Sequence, residues 1–317
     1  MGRFFGYYVK CQGEQETVAV IFGKSKESSF IQVIAENDSY FAEFDVQDFK
    51  VCKREFKISI GKCRVDESGM SLDVDKGKLR IVGEVKFGSF AKLGGEEDRW
   101  RRCAGESIMG PFQYLPLMEC RHMIVSMHHS ISGRIEINGQ IYKFDGGIGY
   151  IEGDRGKSFP RKYFWTQVHF GVPMGDGVLP SSISSGAAMD NVHISASVAV
   201  IPYFGIRFTG TICVVLFGGS EYRLATYHKA KVMKFRKDAV IVKQGSLELI
   251  VEVLDKKEAC PLLAPTKGKM GRVIYESVGR RVRYKFVKEG KTLFDLVSDR
   301  ACHEFSDVRQ KQGKRRC

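Results

Sequence analysis

Along this chain apolar residues recur at every second position in short runs, and the runs are broken by glycine. Period-two alternation is the mark of a half-buried β-strand, whose successive side chains point to opposite faces. Residues 134–145 give the clearest instance, with Ile135 and Ile137 separated from Ile141, Tyr142 and Phe144 by Asn138-Gly139. That pair suits a tight hairpin turn because both positions take positive φ. The same reading predicts a second hairpin, from 206–216 back through 222–227, turning at Gly218-Gly219. A third joins 240–242 to 247–254 through Gln244-Gly245, and a fourth pairs 273–277 with 282–286, turning near Gly279. No comparable segment sustains a helical period, although residues 116–126 fit either reading. An all-β chain with few short helices is expected, built as barrels or sandwiches because no repeat at fixed spacing marks a propeller.

The length, 317 residues, exceeds what a single core usually serves, so two domains are expected. Residues 171–191 are rich in Gly, Ser and Pro and carry no alternation, which divides the chain into 1–170 and 171–317. Such a loop also suits the mouth of a barrel. Charge separates the halves further. Residues 1–160 hold 23 Lys and Arg against 23 Asp and Glu, so the net charge of +13 belongs to residues 161–317, with 27 against 14. A basic half attracts anions. Peripheral contact with an anionic membrane fits, at about 1 kcal/mol per basic residue near the surface. A solvated basic face with a charged tail fits as well. Nucleic acid does not, since zinc-finger, recognition-helix and aromatic RNA-binding patterns are missing.

No run of 18 apolar residues exists, and nine cysteines without a C-x-x-C pair fit reduced thiols, so a cytoplasmic protein is expected. Phosphate-loop, dinucleotide and nucleophile-elbow motifs are absent, and Cys120, two residues before His122, and Cys302, next to His303, make no metal set. Neither cofactor nor metal is expected.

Candidate chemistry concentrates in residues 149–167, GYIEGDRGKSFPRKYFWTQ. On a strand, Tyr150, Glu152 and Asp154 share one face. If that face meets an apolar cavity, desolvation and like charge hold one carboxyl protonated near neutral pH, ready to donate. The alternative is a solvated pair neutralised by Arg155, Lys157, Arg161 and Lys162. Upstream, alternation groups His122 with Ile124, Ser126 and His128, and sets Met123, Val125, Met127 and His129 opposite. Glu119 and His122 then contribute polar groups to a pocket, or His122 is a hydrogen-bonded core residue.

The order Tyr150-Ile151-Glu152-Gly153-Asp154-Arg155-Gly156-Lys157-Ser158-Phe159-Pro160, followed by Trp165 and Gln167, resembles the Y-I-E-x-D-x-G-x-S-F-P and W-x-Q signature of the tocopherol cyclase-like family. Companion pieces follow the family's order: 6–12, 30–32, 108–112, 116–122, Ser126-Met127 with His129, 225–227, 263–265, and Met270 with Ile274, Glu276 and Ser277. They span most of the chain. The resemblance implies two tandem lipocalin-like antiparallel barrels, similar to those of carotenoid hydratases. It also implies a cofactor-free isomerase of the intramolecular lyase type, acting on an isoprenoid or prenylated quinol held in a barrel cavity. Glu152 or Asp154 would protonate a double bond, with Tyr150, Glu119 and His122 in support. An internal hydroxyl would trap the cation as a ring, or water would hydrate it. Tyr163, Phe164 and Trp165 would line the substrate and stabilise the cation through their π faces.

The chain departs from the family at Arg155, where Trp is usual, at His169, where Asn is usual, and at the irregular Ala301-Cys302-His303-Glu304. Arg155 and His169 therefore join the expected ligand contacts. Arg155 also suggests a second reading, a non-catalytic two-barrel carrier for a hydrophobic ligand, or for an anionic amphiphile that pairs with the guanidinium.

Overall fold

The computed structural model describes residues 3–36, 38–52, 55–94, 107–116, 118–171 and 191–308. The tail beyond 308 and most of the Gly/Ser-rich 171–191 run lie outside the described residues.

The strands form two antiparallel sheets, one on each side of a single chain crossing between Gly156 and Lys162. In the first sheet the order runs from Asp38–Phe44 through Ser29–Ala35, Thr17–Lys24 and Phe4–Gln12 to Gly147–Gly156, then Cys120–Ile137. It continues back down the chain through Leu79–Phe87, Gly69–Lys76, Cys63–Asp66 and Lys57–Ile60 to Phe49–Val51. The second runs Ser220–Ala225, Ile206–Phe217, Val192–Tyr203, Lys162–Phe170, Lys291–Asp307, Lys269–Lys288, Leu247–Val253, Ala239–Gln244, Lys231–Phe235. Lys162–Phe170 thus bonds into the second sheet, so the sheets change ahead of the division drawn after residue 170.

Each sheet curls over its own core. Val20 and Ile31 near one edge of the first meet Ile58 and Val65 near the other, and in the second Val215 meets Val240 in the same way. Neither sheet closes into a hydrogen-bonded barrel among the described residues. A third apolar cluster lies between the sheets and draws on both, with Tyr8, Ile34 and Tyr150 from one and Trp165, Val214 and Ile274 from the other.

Strand parity builds this layering. Val9, Cys11 and Ile151 face the first core while Tyr8 and Tyr150 face the partner sheet; Phe164 and Val168 face the second core while Tyr163 and Trp165 face back. Each central strand therefore serves two cores at once, which is why both of its faces are buried.

The first three hairpins form as expected, with Asn138 and Gly139 at positive φ in the first turn. The fourth does not. Residues 269–288 make one continuous strand through Gly279, flanked by bulges at Ser277/Arg280 and Arg280/Val282. The chain turns instead at Glu289-Gly290, where both φ values are positive. A strand-interior glycine marks a bulge as readily as a turn, and here the bulges bend the strand. Of the ambiguous 116–126 run, the segment from Cys120 onward is strand. Helix among the described residues amounts to three short 3-10 turns, Val46–Asp48, Gly110–Tyr114 and Thr226–His228, and no helix is long and apolar enough to cross a membrane.

Alternation after His122 also fails, because bulges between Ile124 and Ser126 and between Ser126 and His129 reset the phase. Met127 joins Ile124 in the inter-sheet cluster, while the His129 ring packs 4.8 Å from both Phe87 and Phe90 on the other side.

Glycines at 147, 149 and 153 leave space on the inward face of Gly147–Gly156, and the Tyr7 ring fills the gap over Gly153. A Cβ at Gly153 would meet that ring at 2.6 Å. Gly153→Ala is expected to destabilise the fold by about 1–3 kcal/mol through overpacking, lowering the urea midpoint. An unchanged midpoint would contradict this packing.

Candidate active site

Residues of even number on Gly147–Gly156 and odd number on Lys162–Phe170 meet across the inter-sheet layer and enclose a cavity of about 190 Å³. One ordered water needs about 10–15 Å³, so the space suits a ligand. It lies between the sheets, whereas a cavity inside one barrel was expected. Phe4, Tyr8 and Phe30 line it from the first sheet, and Trp165, Ile212 and Leu262 from the second. Set into these apolar walls are three buried carboxyls, Glu152, Glu276 and Glu304.

Glu152 is held through one oxygen. Its Oε2 accepts from Tyr150 Oη at 2.6 Å and from Trp165 Nε1 at 3.1 Å, and His122 Nε2 lies 3.4 Å away. Among the described residues its Oε1 carries no hydrogen bond and is not sealed off by protein atoms, so it opens to the cavity. Burial raises the Glu152 pKa, and the nearby His122 offsets only part of this. His122 Nδ1 meets Asp154 Oδ1 at 3.1 Å, and Cys120 Sγ donates to the same oxygen at 3.3 Å. Burial alone would lower the imidazole, but the charges of Glu152 and Asp154 outweigh it and raise His122 to about 9. The ring therefore bonds Asp154 through Nδ1 and stands beside Glu152, whose ionised form is what raises it most. His122, Glu152 and Asp154 also bring one ligand atom each within 4.8 Å of one another, a set that would suit a divalent cation. Nδ1 already bonds Asp154, whereas the buried Nε2 has no hydrogen-bond partner among the described residues.

The other two carboxyls each receive a tyrosine. Tyr8 Oη donates to Glu276 Oε1 at 2.5 Å, and Tyr163 Oη donates to Glu304 Oε1. Burial raises Glu276 well above the usual carboxyl range and Glu304 to about 8, the latter opposed by the Tyr163 bond and by Arg272. Beyond them lies Lys10, fully buried, donating to Gln167 Oε1 at 2.9 Å and to the Arg300 carbonyl at 3.2 Å.

Tyr150, Glu152, Asp154, His122, Tyr163 and Trp165 are thus brought together, and all but the fully buried Tyr150 line the cavity directly. Glu119 stands at the rim, where burial raises its pKa against Arg161, Arg207 and Lys157. Three expected residues lie elsewhere. Arg155 is exposed on the opposite face of its strand, beside Arg121 and Val125. Phe164 is in the second core against His303, because alternation turns it away from Tyr163 and Trp165. His169 belongs to a buried polar layer in which its Nδ1 lies 2.9 Å from His193 Nδ1 and its Nε2 lies 3.0 Å from Gln167 Nε2. Tyr8, Glu276 and Glu304 went unassigned. A signal existed: Glu276 shares parity with Ile274 and Val278, so a carboxyl occupies a core position of an alternating strand.

Residues 98–299 match the family model described as tocopherol cyclase-like, which is well over half of the chain. The chain belongs to the tocopherol cyclase-like family. No curated protein sequence matches it. Among solved structures, a putative AttH from Nitrosomonas europaea superposes with a TM-score of 0.53 at 11% identity, covering 97% of this chain and 92% of the other. Kievitone hydratase from Nectria haematococca gives 0.53 at 9% identity over 97% and 90% of the two chains. CghA gives 0.54 at 8% identity over 96% and 88%. At such identities the likeness concerns the two-sheet fold. Within this tocopherol cyclase-like chain the matched segment holds Glu119, His122, Tyr150, Glu152, Asp154, Trp165 and Glu276, while Tyr8, Cys302 and Glu304 come from outside it through strand pairing.

A buried carboxyl with a raised pKa stabilises the fold while protonated, and that stability is lost as pH rises through the folded value. For Glu304 the window runs from its ordinary 4.5 to about 8. Buried histidines such as His193 and His303 act oppositely below 6.5, where the unfolded chain takes up protons they refuse. Between pH 6.5 and 8 wild-type stability should therefore fall more steeply than that of Glu304→Gln, measured by urea unfolding across that range. Parallel profiles would contradict a protonated Glu304.

Proposed function

We propose that this protein catalyses a cofactor-free, acid-initiated cyclisation or hydration of an isoprenoid or prenylated quinol bound between the sheets, with Glu152 as the acid. The single observation carrying this reading is the asymmetry of the Glu152 carboxyl. Tyr150 and Trp165 saturate Oε2, leaving Oε1 open to an apolar cavity.

Protonated Glu152 gives its Oε1 proton to one alkene carbon; the π electrons form the new C–H bond and the neighbouring carbon becomes a tertiary cation. A substrate hydroxyl or a water then attacks that carbon, and its proton returns to Glu152. The two N–H and O–H donors on Oε2 stabilise the carboxylate formed at the moment of transfer. Tyr8 and Trp165, edge-to-face at 5.5 Å, and Tyr163 offer π faces to the cation. The His122–Asp154 pair sits beside Glu152 as a second proton store, with Asp154 partly open to solvent. Family membership supports cyclase or hydratase chemistry of this general type. The carrier reading, by contrast, loses its anion contact, because Arg155 faces away from the cavity.

Glu152→Gln keeps the acceptor for Tyr150 and Trp165 but has no acidic proton. With a prenylated quinol as substrate, kcat/KM is expected to fall by about 10²–10⁴-fold, the usual worth of general acid catalysis, with ligand affinity changed little. Wild-type kcat/KM should itself decline as pH rises and the raised Glu152 acid ionises. Wild-type turnover by Glu152→Gln would remove this residue from the mechanism.

A further inference from the structure

Outside the acid cavity the second sheet carries a polar cleft that the chemistry above leaves unused. The two spaces adjoin, since Glu119, Phe159 and Ile274 line both. The cleft walls hold seven Lys and Arg against three Asp and Glu, and one of those acids, Asp307, is already paired with Lys162 at 3.4 Å. Arg161, Lys237, Lys256 and Lys267 have no ion pair among the described residues.

Two guanidinium groups, a half-buried Arg272 and a buried Arg280, mark the inner end. Arg272 stands at the junction, 5.7 Å over the Tyr163 ring, and bonds only neutral oxygens, the carbonyls of Phe159, Pro160 and Arg161 and the Ser306 hydroxyl. Among the described residues no carboxylate forms an ion pair with it, and its charge acts on the Glu304 acid. Arg280 is only 7% exposed, and although its Nε lies 3.1 Å from Asp255 Oδ1, the alignment leaves that N–H without a hydrogen bond. Cationic side chains gathered in a concave site beside an apolar cavity match a molecule with a charged end and a greasy end. A flat membrane surface would need the charge on a convex face.

We propose that the substrate is an amphiphile with an anionic head, a carboxylate or phosphate monoester, which docks in this basic cleft while its chain enters the acid cavity. This rests on reading the cavity as the substrate site. The head offsets the Arg272 charge, which otherwise holds the Glu304 acid down, so binding and the protonated state of the cavity support each other.

Titration calorimetry on the full chain with dodecyl phosphate, dodecanol and inorganic phosphate tests the proposal. Dodecyl phosphate is expected to bind at least tenfold more tightly than dodecanol. Inorganic phosphate should compete only weakly. The triple variant Lys237→Glu, Lys256→Glu, Lys267→Glu changes exposed, unpaired side chains, so the fold survives and near-ultraviolet circular dichroism checks this. It should abolish the preference while leaving dodecanol binding within about twofold. Equal binding of phosphate and alcohol, a preference that persists in the triple variant, or inorganic phosphate binding as tightly as dodecyl phosphate would each overturn the proposal. A triple variant that loses only binding to phosphatidylserine vesicles, with the head preference intact, would overturn it in favour of a membrane surface. Glu152→Gln should keep the head preference, so failure of the acid assignment shows in turnover and failure of the head site shows in binding.

Discussion

Desolvation of carboxyl groups between two apolar sheets is the constraint on which the site depends. An ionised carboxylate in a medium of low dielectric is costly by several kcal/mol even after relaxation, so the group either stays protonated or gains hydrogen bonds and a counter-charge. Glu152, Glu276 and Glu304 do both. Each accepts from a tyrosine hydroxyl, and burial raises the pKa of each. Lys10 stands behind them as the buried cation, and the His122–Asp154 pair is close to neutral as a unit. The result is an acidic but nearly uncharged lining, which an apolar alkene can enter without meeting a field of bare charges.

Strand parity makes this lining possible. Phe4–Gln12, Gly147–Gly156 and Lys162–Phe170 each send one face to their own core and the other to the shared layer. A one-residue slip would exchange the two sets, delivering Val9 and Ile151 to the cavity and Tyr8 and Glu152 to a hydrocarbon core. The apolar cores thereby enforce the register that aligns the acids. The likeness to solved structures concerns the two-sheet layering alone, while the chemistry itself rests on the carboxyl geometry.

Much of this was legible along the chain, for local reasons. Alternation and turn residues specify hairpins such as the one through Asn138-Gly139, and they put Tyr150, Glu152 and Asp154 on one face with Arg155 opposite. The same rule, applied one strand further, excludes Phe164 from the Tyr163/Trp165 face, and grouping all three aromatics together overlooked it. What local pattern does not carry is long-range. The bulges near Ser126 reset parity without a distinctive residue, and Gly279 beside Arg280 fits a turn as well as a bulge. Tyr8, Glu276 and Glu304 make their cavity contacts across separations of 268 residues for Tyr8–Glu276 and 141 for Tyr163–Glu304, so their shared environment appears only in the folded chain.

A buried carboxyl kept protonated at neutral pH has a direct optical signature. Infrared spectra of wild type and Glu152→Gln, recorded at neutral pH and subtracted, report the carbonyl stretch of Glu152 itself. A band of a protonated, hydrogen-bonded carboxylic acid, present in wild type, missing in the variant and fading as pH rises, is the predicted result. A carboxylate band already present at neutral pH, with no acid band in the difference, would contradict a Glu152 proton available for transfer.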